Sequence, residues 1–403
     1  MNLGDAPLEP ERGEQPRAIP RCITNLVAFA LSVLVAEGLS YVGLTRLPQS
    51  RALLRRDFTR LRDTVTAEQI AAFRDRGYDQ LLGWSYRPGS SGEGVGPDQR
   101  VWRFAIDERG ARRNPFPGDV AKIKISVYGD SMAFCAEVND DETWEYDLSW
   151  MTGTAVLNFG VTAYGTDQAV WRLAQNLPRY RTPIVVLTVF SEDIARMLSM
   201  YRPFYAEETA VPVGFKPMLY PVDGTFELLP NPLVRAESRQ DFLDAFDTAR
   251  RYDFWYALNE RKPKAAFPYS VTMLRAVMFR LFDERDVARL YQRDEGRLRM
   301  FYILEQFVAL SKQHAFQPVV LFVPTPVELK RARRGAYSYK PFLNELRLRM
   351  DLGRLRIVDL ADRDFDAARF NTLPYKGHAS PYGNHVIAEA VFDGVRDLIT
   401  RTE

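Results

Sequence analysis

The run Ile125-Ser126-Val127-Tyr128 leads straight into Gly129-Asp130-Ser131. Such a tripeptide has two uses. Ser131 could be a nucleophile presented at the end of a strand. It could equally cap the helix that follows, because Asp and Ser oxygens accept the orphan N–H groups of a first helical turn. A serine hydroxyl is a weak nucleophile at neutral pH and needs a base within hydrogen-bond reach. The chain holds three histidines, His314, His378 and His385, so the choice of imidazole base is narrow. Its two cysteines, Cys22 and Cys135, sit in dissimilar surroundings and predict no disulfide. No Cys/His spacing of the zinc type occurs, so no metal site and no cofactor are expected.

The elements that would position Ser131 can be read from composition. Five short apolar, β-rich runs look like buried parallel strands: 123–128, 155–159, 183–190, 318–323 and 356–360. Helix-like segments at 166–177 and 296–313 alternate with them, which predicts a doubly wound α/β sheet. Ligands of such sheets bind beyond the carboxyl ends of the strands. The chemistry-bearing motifs fall there, or in the last loop. Gly129-Asp130-Ser131 ends the first strand, and Asn158-Phe159-Gly160 the second. Ser191-Glu192-Asp193 ends the third, and Gly377-His378 lies near the C terminus.

This ordered set resembles the SGNH/GDSL hydrolase superfamily, whose blocks supply a nucleophilic serine, a glycine, an asparagine and a histidine in chain order. The anchor-like N terminus, "LGWSYRPG" (82–89) and residues 202–233 are similar to membrane-anchored bacterial SGNH-like proteins. The resemblance implies a flavodoxin-like, three-layer fold of about five parallel strands. It implies Ser131 as nucleophile and His378 as base. His314, ending a helix, and His385, a turn into the terminal helix, are the weaker choices. The implied oxyanion donors are the backbone N–H groups of Ser131 and Gly160. Glycine at 160 is expected to keep a side chain away from substrate, with Asn158 ordering the turn and Gly129, Asp130 and Asp193 supporting the motifs.

Two positions depart from the pattern. Glu192 stands where the family has an asparagine amide, and an ionised carboxylate accepts hydrogen bonds without donating. Glu192 is protonated, or points away while Ser191 or water substitutes, or the site does not perform ordinary ester hydrolysis. The aspartate that usually precedes the histidine is replaced by Tyr375 and Lys376. Asp359, Asp364 or Asp366 could reach the ring instead, or a backbone carbonyl could orient it. The implied activity is ester hydrolysis or O-acyl transfer, on an ester-bearing small molecule or a carbohydrate. The alternative is an impaired SGNH-like protein that binds glycan or a protein partner in an envelope assembly.

The first residues are of another kind. Residues 1–20 are Pro-rich and polar and predict a disordered tail. Residues 22–44 then run for 23 positions with Glu37 as the sole formal charge, long enough to span a bilayer of roughly 30 Å. They predict a single-pass anchor within 21–45, followed by a leader of helix, loop and strand over 46–120. The SGNH-like domain is then 121–403, with an insertion at about 197–295 that is a lid, a substrate wall or a packing subdomain. Its aromatics Tyr201, Tyr205, Trp255 and Tyr256 could stack on sugar or form core. Arginines crowd the C-terminal flank of the span and favour a cytoplasmic domain by the positive-inside rule. The resemblance implies an extracytoplasmic one, and that orientation is the one expected. A net charge of +2, from 54 basic and 52 acidic residues, gives no electrostatic case for nucleic acid.

Overall fold

The structure is a computed structural model that describes residues 20–96, 99–118, 123–206, 211–283, 286–335, 338–350, 355–371 and 377–399. The tail at 1–19 and the Tyr375-Lys376 positions lie outside the described residues. The chain divides into two compact units, Met1–Arg56 with Arg261–Glu284 and Asp57–Glu260 with Arg285–Glu403.

The second unit is built on a five-stranded sheet: β1 (Ile125–Tyr128), β2 (Val156–Asn158), β3 (Ile184–Phe190), β4 (Gln317–Val323) and β5 (Arg356–Asp359). All pairings are parallel, in the spatial order β5-β4-β3-β1-β2. The β-branched runs explain the strands, since every residue of β3 is buried and a strand covered on both faces needs no polar alternation. Helices cover the sheet. Trp144–Thr152 (α3) packs with Pro381–Ile399 (α7), and Thr166–Asn176 (α4) with Asp294–His314 (α6). The architecture is a doubly wound α/β fold, and its strands coincide with the predicted runs to within about two residues. Tyr128 pairs with Leu187, Phe190 with Val323, and Phe322 with Asp359, so the strands end along one carboxyl edge.

The long excursion between β3 and β4 does not stay in one unit. Its part in the second unit gathers on the Asp253 carboxylate, which accepts from the amides of Met200, Tyr201, Trp255 and Tyr256 and from the Ser199 hydroxyl. Tyr201 is wholly buried and stacks on Phe215 at 4.2 Å, a core role. The first unit holds a 26-residue helix, α1 (Arg21–Arg46), long and apolar enough to cross a membrane. Packed on it is α5 (Tyr269–Phe282).

Candidate active site

β1 delivers Gly129-Asp130-Ser131 to the carboxyl edge, where one turn of helix begins, α2 (Ser131–Phe134). Gly129 is required sterically: a Cβ there would stand 2.9 Å from the Thr188 carbonyl on β3. The capping role belongs to Asp130, whose Oδ1 accepts the Met132 amide at 2.8 Å and whose Oδ2 accepts, at 3.4 Å, from the Ser131 hydroxyl. The Ser131 Oγ lies 3.0 Å from Nε2 of His378, although 247 positions separate the two residues. Ser131 is 6% exposed and the His378 side chain 28%, so the serine is buried and the imidazole is partly open to solvent.

Nδ1, the other ring nitrogen, faces Glu137. Glu137 Oε1 stands 3.3 Å from it. The contact is a close approach and not an aligned hydrogen bond, because neither Nδ1 nor the second oxygen, Oε2, both buried, has a hydrogen-bond partner among the described residues. α2 ends at Cys135 with φ 57°, and Glu137 has φ 72°, two left-handed residues that turn the chain back toward the ring. The sequence-derived carboxylates are elsewhere. Asp359 accepts from Tyr339 and Lys340, Asp366 caps the helix Ala367–Phe370, and Asp364 is exposed. His314 ends α6, and His385 pairs with Asp147 at 3.0 Å.

Two buried arginines hold this loop, and sequence reasoning missed both. Arg112 donates to the carbonyls of Phe134, Cys135 and Val138 and to Asp140, so the whole segment after the serine hangs on one guanidinium. Arg196 joins Asp130, Asp193 and the Tyr164 carbonyl at 2.6, 2.9 and 3.0 Å. Desolvation first, and then the Asp130 charge, push the Asp193 carboxyl well above the usual range despite Arg196. Charged letters in a sequence read as solvated faces; only the fold makes them interior.

The oxyanion side differs from expectation in two ways. The Gly160 amide is already engaged by Asn158 Oδ1 at 2.9 Å, while Asn158 Nδ2 donates to the Ala133 carbonyl. Glycine is needed at 160 because a Cβ would lie 2.3 Å from the Phe134 amide nitrogen; the obstacle is the backbone of α2, not a substrate. In the same turn Ala163 has φ 67°, and neither its amide nor that of Thr162 has an acceptor among the described residues.

Burial raises the Glu192 pKa, but Arg196, the Tyr205 hydroxyl, Arg202 and His378 together outweigh it and hold the carboxyl below its ordinary value. Its Oε1 accepts from Tyr205 at 2.5 Å and lies 3.9 Å from Arg196. Ser191 is wholly buried, and its Oγ accepts the Thr325 amide at 2.9 Å. Beside Glu192, Arg202 has Nε and Nη1 buried with no hydrogen-bond partner among the described residues, and burial lowers its pKa to about 10.

No protein-family profile and no curated protein matches the chain. Solved structures do. A psychrotrophic esterase from Pseudoalteromonas sp. is 10% identical, with 69% of this chain and 98% of that one covered and a TM-score of 0.35. A family 3 carbohydrate esterase from Clostridium thermocellum is 11% identical over 70% of this chain and 99% of that one, with a TM-score of 0.33. A member of the lipolytic protein G-D-S-L family from Veillonella parvula is 8% identical over 68% and 97%, with a TM-score of 0.31. The resemblance to the SGNH/GDSL hydrolase superfamily rests on the order of the chain's own blocks, which the doubly wound sheet carries at or beyond the carboxyl ends of its strands.

Proposed function

We propose that the protein is a serine-dependent ester hydrolase or O-acyltransferase, anchored in a membrane through residues 22–44, with its catalytic unit on the extracytoplasmic side. The substrate class is an O-acylated envelope or extracellular polysaccharide, an acetylated one foremost, or another ester of similar reach. The observation that carries the reading is the 3.0 Å approach of His378 Nε2 to Ser131 Oγ.

The geometry supports the following steps. Nε2 takes the Ser131 proton as Oγ attacks the ester carbonyl, and the carbonyl π electrons move onto oxygen. The resulting oxyanion meets the Ser131 amide, at the head of α2. Imidazolium at 378 is stabilised by the Glu137 carboxylate behind it, as an orienting acid does in a triad. Collapse of the intermediate expels the alkoxide, which receives the proton from Nε2. Water, or a second hydroxyl, then repeats the sequence on the acyl-serine and releases acid or a new ester.

A second reading is favoured by Glu192. An ionised carboxylate at the edge of the oxyanion region repels the developing charge, which suits a protein that binds acylated glycan without turning it over. Hydrolysis of a short-chain acyl ester by the full chain in detergent separates the two. Turnover lost in Ser131→Ala supports the enzyme; equal background rates in well-folded wild type and variant support the binder. A reporter fused after the C terminus tests the orientation, and a cytoplasmic signal would overturn the envelope substrate.

A further inference from the structure

Residues 261–283 form a self-contained excursion. Arg261 and Asp283, at its two ends, are joined by an ion pair. Its stem meets the end of the first helical stretch, where the Arg55 amide donates to the Pro263 carbonyl and the Lys262 ammonium to the Ala52 carbonyl. Its far end is the start of α5, which lies against the middle of the C-terminal half of α1. There Glu37 accepts from the amides of Tyr269 and Ser270 and from the Ser270 hydroxyl. Tyr41 meets Tyr269 at 5.0 Å between centroids. Gly43 leaves room for Met273, whose Cε would be 2.8 Å from any Cβ at that position.

These contacts account for a charge that is costly in an apolar span. A carboxylate near a bilayer persists where donors satisfy it, and the first turn of a 14-residue helix supplies N–H groups and the positive end of its dipole. α5 is therefore fixed beside α1 at its apolar stretch. Its inward residues, such as Thr272, Ala276 and Phe279, are buried. Its outward stripe is not polar: Val271, Leu274 and Met278 are 43, 62 and 46% exposed, and Phe267, just before the helix, is 74% exposed. The spacing is helical, so the stripe is one continuous face, and α1, on which α5 packs, also exposes apolar side chains, Leu34, Leu39 and Val42 among them. Lys262, Lys264 and Arg275 line the same groove of about 890 Å³ as Phe267, Leu274 and Met278. Cationic side chains on long stems next to an apolar floor suit the boundary between acyl chains and anionic headgroups.

We infer that α5 is a second membrane element, seated in the lipid interface of an anionic bilayer beside α1, with Glu37 fixing its N-terminus. The inference rests on the reading of 22–44 as an anchor, and the test separates the two. The full chain, with Cys22→Ser and Cys135→Ala, is labelled with a fluorophore at Leu34→Cys, Leu274→Cys or Val234→Cys, the last on the exposed surface of the second unit. Each is placed in nanodiscs of phosphatidylglycerol and phosphatidylcholine bearing brominated acyl chains. Labels at 34 and 274 are expected to lose fluorescence to the bromolipid and resist aqueous iodide, while the label at 234 does the reverse.

Quenching at 34 with iodide access at 274 overturns the lipid seat and leaves the anchor standing. Iodide access at both positions overturns both. A label at 274 shielded from bromolipid and iodide alike means that a second copy or another protein covers the stripe, and it too overturns the inference. Glu37→Leu is expected to raise iodide quenching at 274 while leaving 34 unchanged, and an unmoved 274 signal would mean that Glu37 does not fix the start of α5.

Discussion

The two sides of Ser131 are built on different terms. Toward His378, the hydroxyl lies 3.0 Å from one imidazole nitrogen and a carboxylate oxygen 3.3 Å from the other, the arrangement that the proposed acyl transfer uses. Toward Glu192, the expected glycine amide is spent on Asn158, and an anion occupies the place of an amide donor. Adjacent residues make the same point. Asp193, sealed beside Asp130, is pushed toward its neutral form, whereas Glu192, facing four polar or cationic partners, is held in its charged form. Local composition sets neither state. Burial sets the cost of a charge, and the count of nearby donors and cations decides whether it is met.

Breaking the base side has the largest expected effect. His378→Ala should lower kcat by about four to six orders of magnitude, since nucleophile and base act as one unit. An ester assay with active-site titration measures the loss. Glu137→Gln comes next, with a fall of about two to four orders of magnitude in kcat and little change in KM, as for loss of an orienting acid. A change confined to KM would place Glu137 against substrate and not behind the imidazole.

The oxyanion side should respond in the other direction. Glu192→Asn removes a repelling charge and offers a donor, so kcat is expected to rise by about 10² or less, the scale of one such donor. An unchanged rate in an active enzyme takes Glu192 out of the site.

The smallest effect lies under the nucleophile loop, where Glu145 accepts from the Cys135 thiol at 3.1 Å. Burial pushes the Glu145 carboxyl up to about 8 from an ordinary 4.5. The folded protein then holds a proton that the unfolded chain has lost, so stability falls as pH rises from about 4.5 to about 8. Glu145→Gln, which cannot ionise, should flatten that decline, by on the order of 1 to 3 kcal/mol at pH 8 in denaturant unfolding. A parallel pH dependence in wild type and variant would show that Glu145 titrates as it does in water.

The sheet and the Ser131–His378 meeting point were legible because both depend on patterns the chain carries openly: uninterrupted apolar strands and short motifs at their carboxyl ends. Glu137 was not. Its approach depends on two departures into left-handed backbone, at Cys135 and Glu137, where neither residue is glycine. A longer helix after Ser131 would put Glu137 on the wrong side. Gly160 was read for the right residue and the wrong neighbour, since only packing shows α2 pressed against it. Arg112 and Arg196 are two among 54 basic residues, and nothing local marks them as interior. The excursion at 261–283 hid inside an insertion whose partner, Glu37, lies more than two hundred positions earlier.

One measurement bears on the central claim most directly: mapping, by peptide mass spectrometry, where a fluorophosphonate attaches and how fast. The account predicts a single adduct on Ser131 of the wild-type chain, and labelling slowed by orders of magnitude in a folded His378→Ala variant. An adduct elsewhere, or equal labelling rates with and without the imidazole, would contradict it.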